Sequence, residues 1–235
     1  MQKSSAFILG IFLFFGLVFL GKGVGSALLS YKKLERVVTV KGLSEKEVAA
    51  DVVIWPIQYT KAGDELTTLY DEIEKDRGSV KRFLKSFGFK DEEISINAPV
   101  AYDRLSNQYG SGEGGYRYIL NQTISVYSKN VDKAREAMVK IEELGKQGVT
   151  FKSDAYENRV EYIYSKLNDL KPSMLKEATL NARVAAQTFA DDSKSKLGKI
   201  KSASQGQFSI SERDKNTPHM KSVRVVSTVV YYLND

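Results

Sequence analysis

Three glycines at dinucleotide-binding spacing are the first candidate for chemistry in this sequence. Gly110, Gly112 and Gly115 stand as G-x-G-x-x-G in "NQYGSGEGGYRY". Between a strand and a helix, this pattern brings a pyrophosphate to a helix N-terminus. Here the preceding "YDRLSNQY" is polar, and the following "YRYILNQTISVYS" has the pattern of a strand. The setting therefore predicts a hairpin connection between two strands, with no nucleotide contact.

Two Ser-x-x-Lys pairs could in principle supply a serine nucleophile with a lysine base. They are Ser173/Lys176 and Ser193/Lys196. Such a hydrolase also needs an oxyanion hole and S-D-N or K-T-G partner motifs, and the sequence contains neither motif. Ser173 falls in the first turn of a predicted helix, where serine has structural reasons to occur. We therefore predict that neither pair is catalytic.

Histidine and cysteine chemistry is almost excluded by composition. The single histidine, His219, lies in the polar segment "NTPHMKS", and the chain has no cysteine. Hydrolytic triads, thiolate zinc sites, disulfides and cysteine nucleophiles therefore lack the residues that they require. We predict that His219 is a solvated loop residue.

The remaining polar candidates also favour structural roles. The carboxylate groups at 91–93 and 191–192 fall at predicted element boundaries and indicate solvated ends. Asn121 begins an N-Q-T sequon, but its position in a predicted strand argues against glycosylation. Trp55 is predicted to be a core or interface aromatic. We predict no catalytic, cofactor-binding or metal-binding residue, and a protein that is not an enzyme.

The N-terminal apolar run is the strongest local signal. Between Lys3 and Lys22 lie 18 uncharged residues, positions 4 to 21. As a helix they would span roughly 27 Å, close to the ~30 Å hydrocarbon core of a bilayer. The run predicts an uncleaved transmembrane anchor. The alternative is a signal peptide cleaved before Ala27, with Val24 and Ser26 at its cleavage site.

Charge leaves orientation and other partners undetermined. Lys22, Lys32, Lys33 and Arg36 follow the run, and this count would keep the C-terminal part in the cytoplasm, whereas a signal-like N-terminus exports it. The net charge is +6, but basic and acidic residues are interspersed, without five consecutive Lys or Arg. This pattern argues against nucleic-acid binding and allows a mild attraction to anionic lipid.

Strand and helix patterns alternate in the next part of the chain. "RVVTV" and "ADVVIWPIQYT" predict strands, with "GLSEKEV" as a turn and Pro56 marking an edge or a bulge. "DELTTLYDEIEKDRGSVKRFLKSFGF" predicts an amphipathic helix that Asp64 caps and Gly88 stops. "EISINAPVAYD" and "YRYILNQTISVYS" predict further strands.

The pattern continues to the end of the chain. "NVDKAREAMVKIEELGKQG" predicts a helix capped by Asn130 or Asp132, and "GVTFKSDAYENRVEYIYSKL" contains one or two short strands. "KPSMLKEATLNARVAAQTFADDSKSKLG" predicts a long helix with Pro172 in its first turn. Its small-residue face is Leu175, Ala178, Thr179, Ala182, Ala185, Ala186 and Phe189.

Two closing strands are predicted in "KIKSASQGQFSI" and "SVRVVSTVVYYL". The last is apolar on both faces, which indicates either a central strand or an oligomer contact. Together the elements predict an α+β fold of antiparallel or mixed sheets packed against three main helices, preceded by one N-terminal transmembrane helix.

These segments, taken in order from about Val37 to Leu233, resemble the SIMPL-domain family of bacterial envelope proteins. That family includes a periplasmic immunogenic protein and an oxidative-stress-defence protein. The strongest match is "ATLNARVAAQTFADDSKSKLGKIKSASQGQFSI", and "VVTVKGLSEKEVAADVVIWPIQY", "GYRYILNQTISVYSKNVDKA" and "VRVVSTVVYYL" match in the same order. The departures are the glycine loop at 106–115 and extra residues around 150–159.

The apolar run sets off an anchor or signal sequence (1–21) and a juxtamembrane linker (22–36), and the remainder is a SIMPL-like extracytoplasmic domain (37–235). The resemblance favours export of that domain, so with the anchor we expect a single-pass protein of the bacterial inner membrane with its C-terminal domain in the periplasm. One family member is a ring-like homo-oligomer, so self-assembly through sheet edges and the final strand is expected, with envelope or oxidative stress as its setting. The alternative is a monomeric periplasmic ligand-binding or stress-protective module with a pocket near Trp55.

The expected partners are a second copy of the chain and the lipid bilayer through residues 4–21. No nucleic acid, nucleotide or cofactor is expected, and no small-molecule ligand is identified.

Overall fold

The computed structural model describes residues 2–33, 36–106, 115–152 and 159–234. The chain is α+β with two antiparallel sheets, as predicted. Its helices are α1 (Gln2–Lys33), α2 (Leu66–Ser86), α3 (Val131–Val139), α4 (Glu142–Lys146) and α5 (Leu167–Asp192). Its strands are β1 (Val37–Ala49), β2 (Val52–Gly63), β3 (Ile94–Ile96), β4 (Val100–Asp103), β5 (Tyr118–Ser128), β6 (Glu161–Ile163), β7 (Lys196–Gln205), β8 (Ser209–Glu212) and β9 (Met220–Asn234).

Helix α1 carries the N-terminal apolar run. It continues beyond Lys22 and the neighbouring glycines to Lys33, so most of the predicted linker is helical. Its side chains are described only at residue 10 and residues 12–26, and those from Phe12 to Leu20 are exposed. The stretch from Phe12 to Leu20 is shorter than the uncharged run at positions 4 to 21 of the sequence. Within the described part of the chain, no helix is long and apolar enough to cross a membrane.

The chain divides into two compact units. The first unit comprises Met1–Lys46, Asn168–Ser209 and Val223–Asp235, and the second comprises Glu47–Leu167 and Ile210–Ser222. The first contains most of the four-stranded sheet and helix α5, whereas the second contains the five-stranded sheet and helices α2 to α4.

In the first unit, β9 is the central strand of the order β1-β9-β7, and β8 also pairs with β9. Val223, Val225 and Val229 are buried. These three valines lie on one face of the strand and are not available as an oligomer contact, whereas Val226, Val230 and Tyr232 on its other face are only partly buried. The strand is central in its sheet, which is one of the two predicted alternatives. Helix α5 packs on the sheet through a small core of Val40, Ala182, Ala186, Val229 and Tyr231.

The predicted turn "GLSEKEV" is wrong, because these residues continue strand β1. Gly42 passes so close to α5 that a Cβ atom on it would lie 1.8 Å from the Ala178 carbonyl oxygen. The glycine thus serves close packing of backbone on backbone, and not a change of direction. Ser44, two residues later, is buried and donates a hydrogen bond to Glu177.

Helix α5 begins earlier and buries a narrower face than predicted. Because the helix starts at Leu167, Pro172 lies in its second turn. The buried positions recur strictly every four residues: Met174, Ala178, Ala182, Ala186 and Ala190. Phe189, which we predicted on this face, is exposed.

In the second unit the strand order is β3-β5-β2-β6, and β4 also pairs with β5. All these pairings are antiparallel. The apolar face of α2 covers the sheet through residues that include Leu69, Ile73, Val80, Phe83 and Leu84, and α3 and α4 add Ala134, Ala137 and Leu144. Trp55 lies in this core, as predicted.

Some local predictions in the second unit need correction. On one side of β2, Pro56 pairs with Ser125 in an unbroken register, so the predicted bulge is absent. On the other side, the described pairings stop at Ile54 and resume at Gln58, so Pro56 lies at an unpaired edge there, which is the other predicted alternative. Asp64 does not cap α2, because its carboxylate accepts a hydrogen bond from the Arg117 backbone N–H. The Asp64 carboxylate therefore bonds to the backbone just before β5 and not to the first turn of α2.

Two elements are broken where the sequence predicted continuity. The segment after α2 forms β3 and β4, separated at residues 97–99. The following helix divides into α3 and α4 at residues 140–141, where the N–H groups bond three residues back. Its predicted cap is confirmed, since the Asn130 side chain accepts from the Lys133 N–H. Gly88 stops α2 as predicted, with φ of +78°.

Candidate functional site

A groove of about 730 Å³ between α5 and β7 is the leading candidate for a functional site. It lies wholly in the first unit. Its volume falls in the range of small-molecule sites, roughly 300–1,000 Å³. Its lining residues are Leu175, Lys176, Thr179, Leu180, Arg183, Gly198, Lys199, Ile200 and Tyr231.

Close packing of α5 on the sheet forms one wall of this groove. Near Gly42 the contacts between the helix and strand β1 are made by alanine and glycine, so the helix backbone lies close to the sheet. The helix covers β9, where Tyr231 is buried, and Ile200, the register partner of Tyr231 on β7, remains exposed beside it. The groove is therefore the uncovered margin of the sheet next to the helix.

The other wall comes from an irregular part of β7. The pairing of β7 with β9 shifts register on both sides of Ile200. Such bulges re-aim side chains and are common beside binding sites. Gly198 fits tightly here, since an added Cβ would lie 2.9 Å from the Tyr232 carbonyl oxygen. This local geometry brings the neighbouring Lys199 and Ile200 to the groove.

The groove combines apolar walls with cations. Lys176 and Arg183 lie seven residues apart on α5, so they project from the same side, separated by about 10.5 Å along the axis. Leu180 lies between them and is 58% exposed. Lys199 adds a third cation from β7, and the groove lining contains no carboxylate. The arrangement suits binding of an anion that also has an apolar part.

The serine–lysine pairs are not arranged as catalytic dyads. The Ser173 hydroxyl donates to the Leu170 carbonyl and accepts from Lys46, at 2.9 and 3.2 Å. The Ser193 hydroxyl donates to the Ala190 carbonyl. Both serines therefore form local helix hydrogen bonds, and Lys176 belongs to the groove.

His219 lies in a polar loop, as predicted, but it is only partly exposed. Its ring packs edge-on against Tyr162 at 6.0 Å, and its carbonyl accepts from the Ala50 N–H. Burial, followed by the charges of Arg135 and Arg213, lowers the pKa of its imidazole. His219 is therefore a packing residue of the second unit.

Of the carboxylates at 91–93, Asp91 and Glu93 form ion pairs. The Asp91 oxygens lie 2.6 Å from Lys85 and 3.2 Å from Lys81. Hydrogen bonds from these two lysines, with Lys85 the larger contributor, lower the pKa of Asp91. Among the residues that the structure describes, no group of three His, Cys, Asp or Glu side chains could hold a metal ion.

The glycine pattern of the opening candidate lies only partly in the described chain. Gly110 and Gly112 fall outside the described residues. Gly115 has φ of +129°, and β4 and β5 pair antiparallel up to Asp103 and Tyr118. The predicted hairpin is thus confirmed by the strands on its two sides. Asn121 lies within β5, as predicted.

Sequence reasoning did not find the groove. Lys176 was considered only as part of a Ser-x-x-Lys pair, although the i, i+4, i+7 spacing of Lys176, Leu180 and Arg183 marks a mixed basic and apolar helix stripe. Nothing in the local sequence of β7 shows that Lys199 and Ile200 join this stripe. Their proximity follows from a bulge and from pairing across the sheet.

Comparison with known proteins gives a family match. The sequence model of the SIMPL family, described as a protein of unknown function (DUF541), matches residues 38–230. No curated protein matches the chain at a significant level. The family match covers well over half of the chain and spans β1 through most of β9. The chain therefore belongs to the SIMPL family.

Proposed function

We propose that this protein is a non-enzymatic, membrane-anchored protein of the cell envelope that assembles into a ring-like homo-oligomer. The observation that carries the proposal is a pair of unlike sheet edges. The first unit has strand β7 at an edge of its sheet, and the second has β4 at an edge. Family membership supports an envelope setting, and stress protection is the role that the family resemblance favours.

Charge on β7 argues against pairing of two identical edges. Lys196, Lys199 and Lys201 lie along this strand, and edge lysines oppose edge-to-edge contact between copies. On β4, in contrast, Val100 and Tyr102 are exposed. A contact between unlike surfaces gives a ring where the rotation closes and an open filament where it does not, whereas like surfaces give a two-fold dimer. Self-association through unlike edges is therefore compatible with a ring and not with a two-fold dimer.

Assembly is tested by changing the apolar edge. Val100 is 63% exposed on β4, and Val139, 80% exposed on α3, supplies the matched control. In full-length protein in a neutral detergent, we expect Val100→Asp to lower the oligomer mass and Val139→Asp to leave it unchanged. Light scattering coupled to size-exclusion chromatography measures the mass. A wild-type protein that is strictly monomeric at micromolar concentration would refute the assembly.

Membrane anchoring is supported by the exposed apolar side chains of α1 and the 18 uncharged residues of the sequence. Leu13 lies near the middle of this run, where a charged side chain costs about 2.5–3.5 kcal/mol of insertion free energy. We expect Leu13→Asp to move protein from the carbonate-washed membrane fraction to the soluble fraction, whereas Val24→Asp, outside the run, should remain with the membrane.

N-terminal sequencing of the membrane-associated protein distinguishes an anchor from a signal peptide. An anchor retains the residues before Ala27. A mature protein that begins at Ala27 would contradict the anchor and identify the apolar run as a cleaved signal sequence.

A monomeric ligand-binding module is the second candidate, and the groove beside α5 favours it. The ligand site expected near Trp55 is not supported, since Trp55 is 4% exposed and packed in the core of the second unit. Any small-molecule site on this chain is therefore better sought in the first unit.

A further inference from the structure

We propose that the groove between α5 and β7 binds a free single-chain anionic amphiphile, with a long-chain carboxylate as its simplest form. The inference goes beyond the proposed assembly and does not depend on it, because all lining residues belong to the first unit. It rests on three features of the groove: positive charge, an exposed apolar wall and a lining that follows α5 from Leu175 to Arg183.

The positive charge of the groove has no carboxylate partner among the residues that the structure describes. Cations of the second unit form ion pairs, such as Lys85 with Asp91 and Lys133 with Glu93. Over the described part of the chain, Lys176, Arg183 and Lys199 form no salt bridge with a carboxylate within 4.0 Å. Three unpaired cations around one depression favour an anionic occupant.

The apolar part of the groove requires more than a simple anion. Leu180 and Ile200 are 58% and 48% exposed, on the two facing walls. Leu175 and Tyr231 complete the apolar surface deeper in the groove. Inorganic phosphate or a polar metabolite would leave these side chains in water, whereas an alkyl chain would remove them from it.

The placement of the cations allows an alkyl chain and its head group to bind side by side. Lys176 and Arg183 lie on either side of Leu180 along α5, and Lys199 faces them from β7 next to Ile200. An alkyl chain that follows the helix between the two walls passes Leu180 and Ile200. Its carboxylate then reaches a cation at the end of the groove, and the guanidinium of Arg183 can donate two parallel hydrogen bonds to it.

Photolabelling of the full-length protein tests this site. The probe is dodecanoate carrying a diazirine on its chain, added to protein in dodecyl maltoside. The detergent supplies the same alkyl chain without a charge, so labelling that survives in its presence reports selection of the anion. We expect label on peptides containing residues 175–183 and 198–200, reduced by excess unlabelled dodecanoate and not by dodecyltrimethylammonium.

Charge variants show whether the cations recognise the head group. Arg183→Gln combined with Lys199→Gln should reduce groove labelling about three- to tenfold, since exposed charge pairs contribute modestly. Lys196→Gln, on the same strand and outside the groove lining, is the matched control and should label as the wild type does. Labelling should also fall as ionic strength rises. Far-UV circular dichroism checks that each variant is folded.

Apolar variants test the chain contact and the competing occupant. Leu180→Ser combined with Ile200→Ser should also reduce groove labelling, because the alkyl chain loses its apolar contacts. Both side chains are exposed, so their replacement should leave the fold intact. Equal labelling of Arg183→Gln/Lys199→Gln and Lys196→Gln would overturn the proposal, as would label confined to α1. Absence of groove label, together with a smaller oligomer for Leu180→Ser/Ile200→Ser, would instead identify the groove as a contact between copies.

Discussion

Gly42→Ala is expected to unfold or strongly destabilise the first unit. The added methyl group would lie 1.8 Å from the Ala178 carbonyl oxygen and 2.4 Å from the Ala182 nitrogen, both of them helix backbone atoms. A flexible side chain could move aside, but a helix backbone can yield only if α5 lifts from the sheet. We expect a loss of about 3 kcal/mol or more in the free energy of unfolding, at the upper end of overpacking effects.

Urea denaturation followed by far-UV circular dichroism measures this loss. Gly145→Ala is the control, because nothing lies within 4 Å of the added methyl group and the residue is helical. It should be neutral or stabilising by up to ~1 kcal/mol. If both substitutions had equally small effects, the close approach of β1 and α5 would be refuted, and with it the low position of the helix that shapes the groove.

Lys61→Met is expected to have the largest effect in the second unit. Asp76 is 6% exposed, and its Oδ2 atom lies 3.1 Å from the Lys61 amino group. That oxygen accepts no hydrogen bond of good geometry, so the lysine neutralises it mainly by charge. Lys61 also donates to the Gly148 carbonyl. Its removal leaves a buried carboxylate without a counter-charge.

We expect Lys61→Met to cost about 2–3 kcal/mol, less than the ~3–5 kcal/mol of a fully buried pair, because 20% of the Lys61 side chain is exposed. Combining it with Asp76→Leu should recover most of the loss, since the pair is then replaced by apolar contact. Urea unfolding followed by the fluorescence of buried Trp55 reports on this unit. Lys215→Met, on the exposed loop, should have no effect; a loss equal to that of Lys61→Met would refute the charge pair.

Much of the secondary structure could be predicted, because it follows from short-range periodicity. The alternation in β2 and β5 and the three- and four-residue steps of α2 survive in the structure almost as they stand in the sequence. The errors occur where a distant contact competes with the local signal. Glycine favours turns and aspartate favours helix caps, but Gly42 lies within β1 and Asp64 accepts from Arg117.

The groove could not be predicted, for a related reason. Its two walls are separated along the chain by the last two turns of α5 and the start of β7. A one-residue difference in the bulge would move Ile200 to the other face of the sheet. Family membership, in contrast, could be recognised because it depends on the order of segments, and the match over residues 38–230 confirms it.

The sequence by itself determined the class of fold, the family and the absence of cysteine, since all three follow from residue types and their order. Only the tertiary structure decided that β9 is central and that the backbone of α5 packs directly on Gly42. It also decided that Asp76 is buried beside Lys61 and that three cations line an apolar groove. These features depend on distances between residues far apart in the chain, and such distances exist only once helix and sheet have packed.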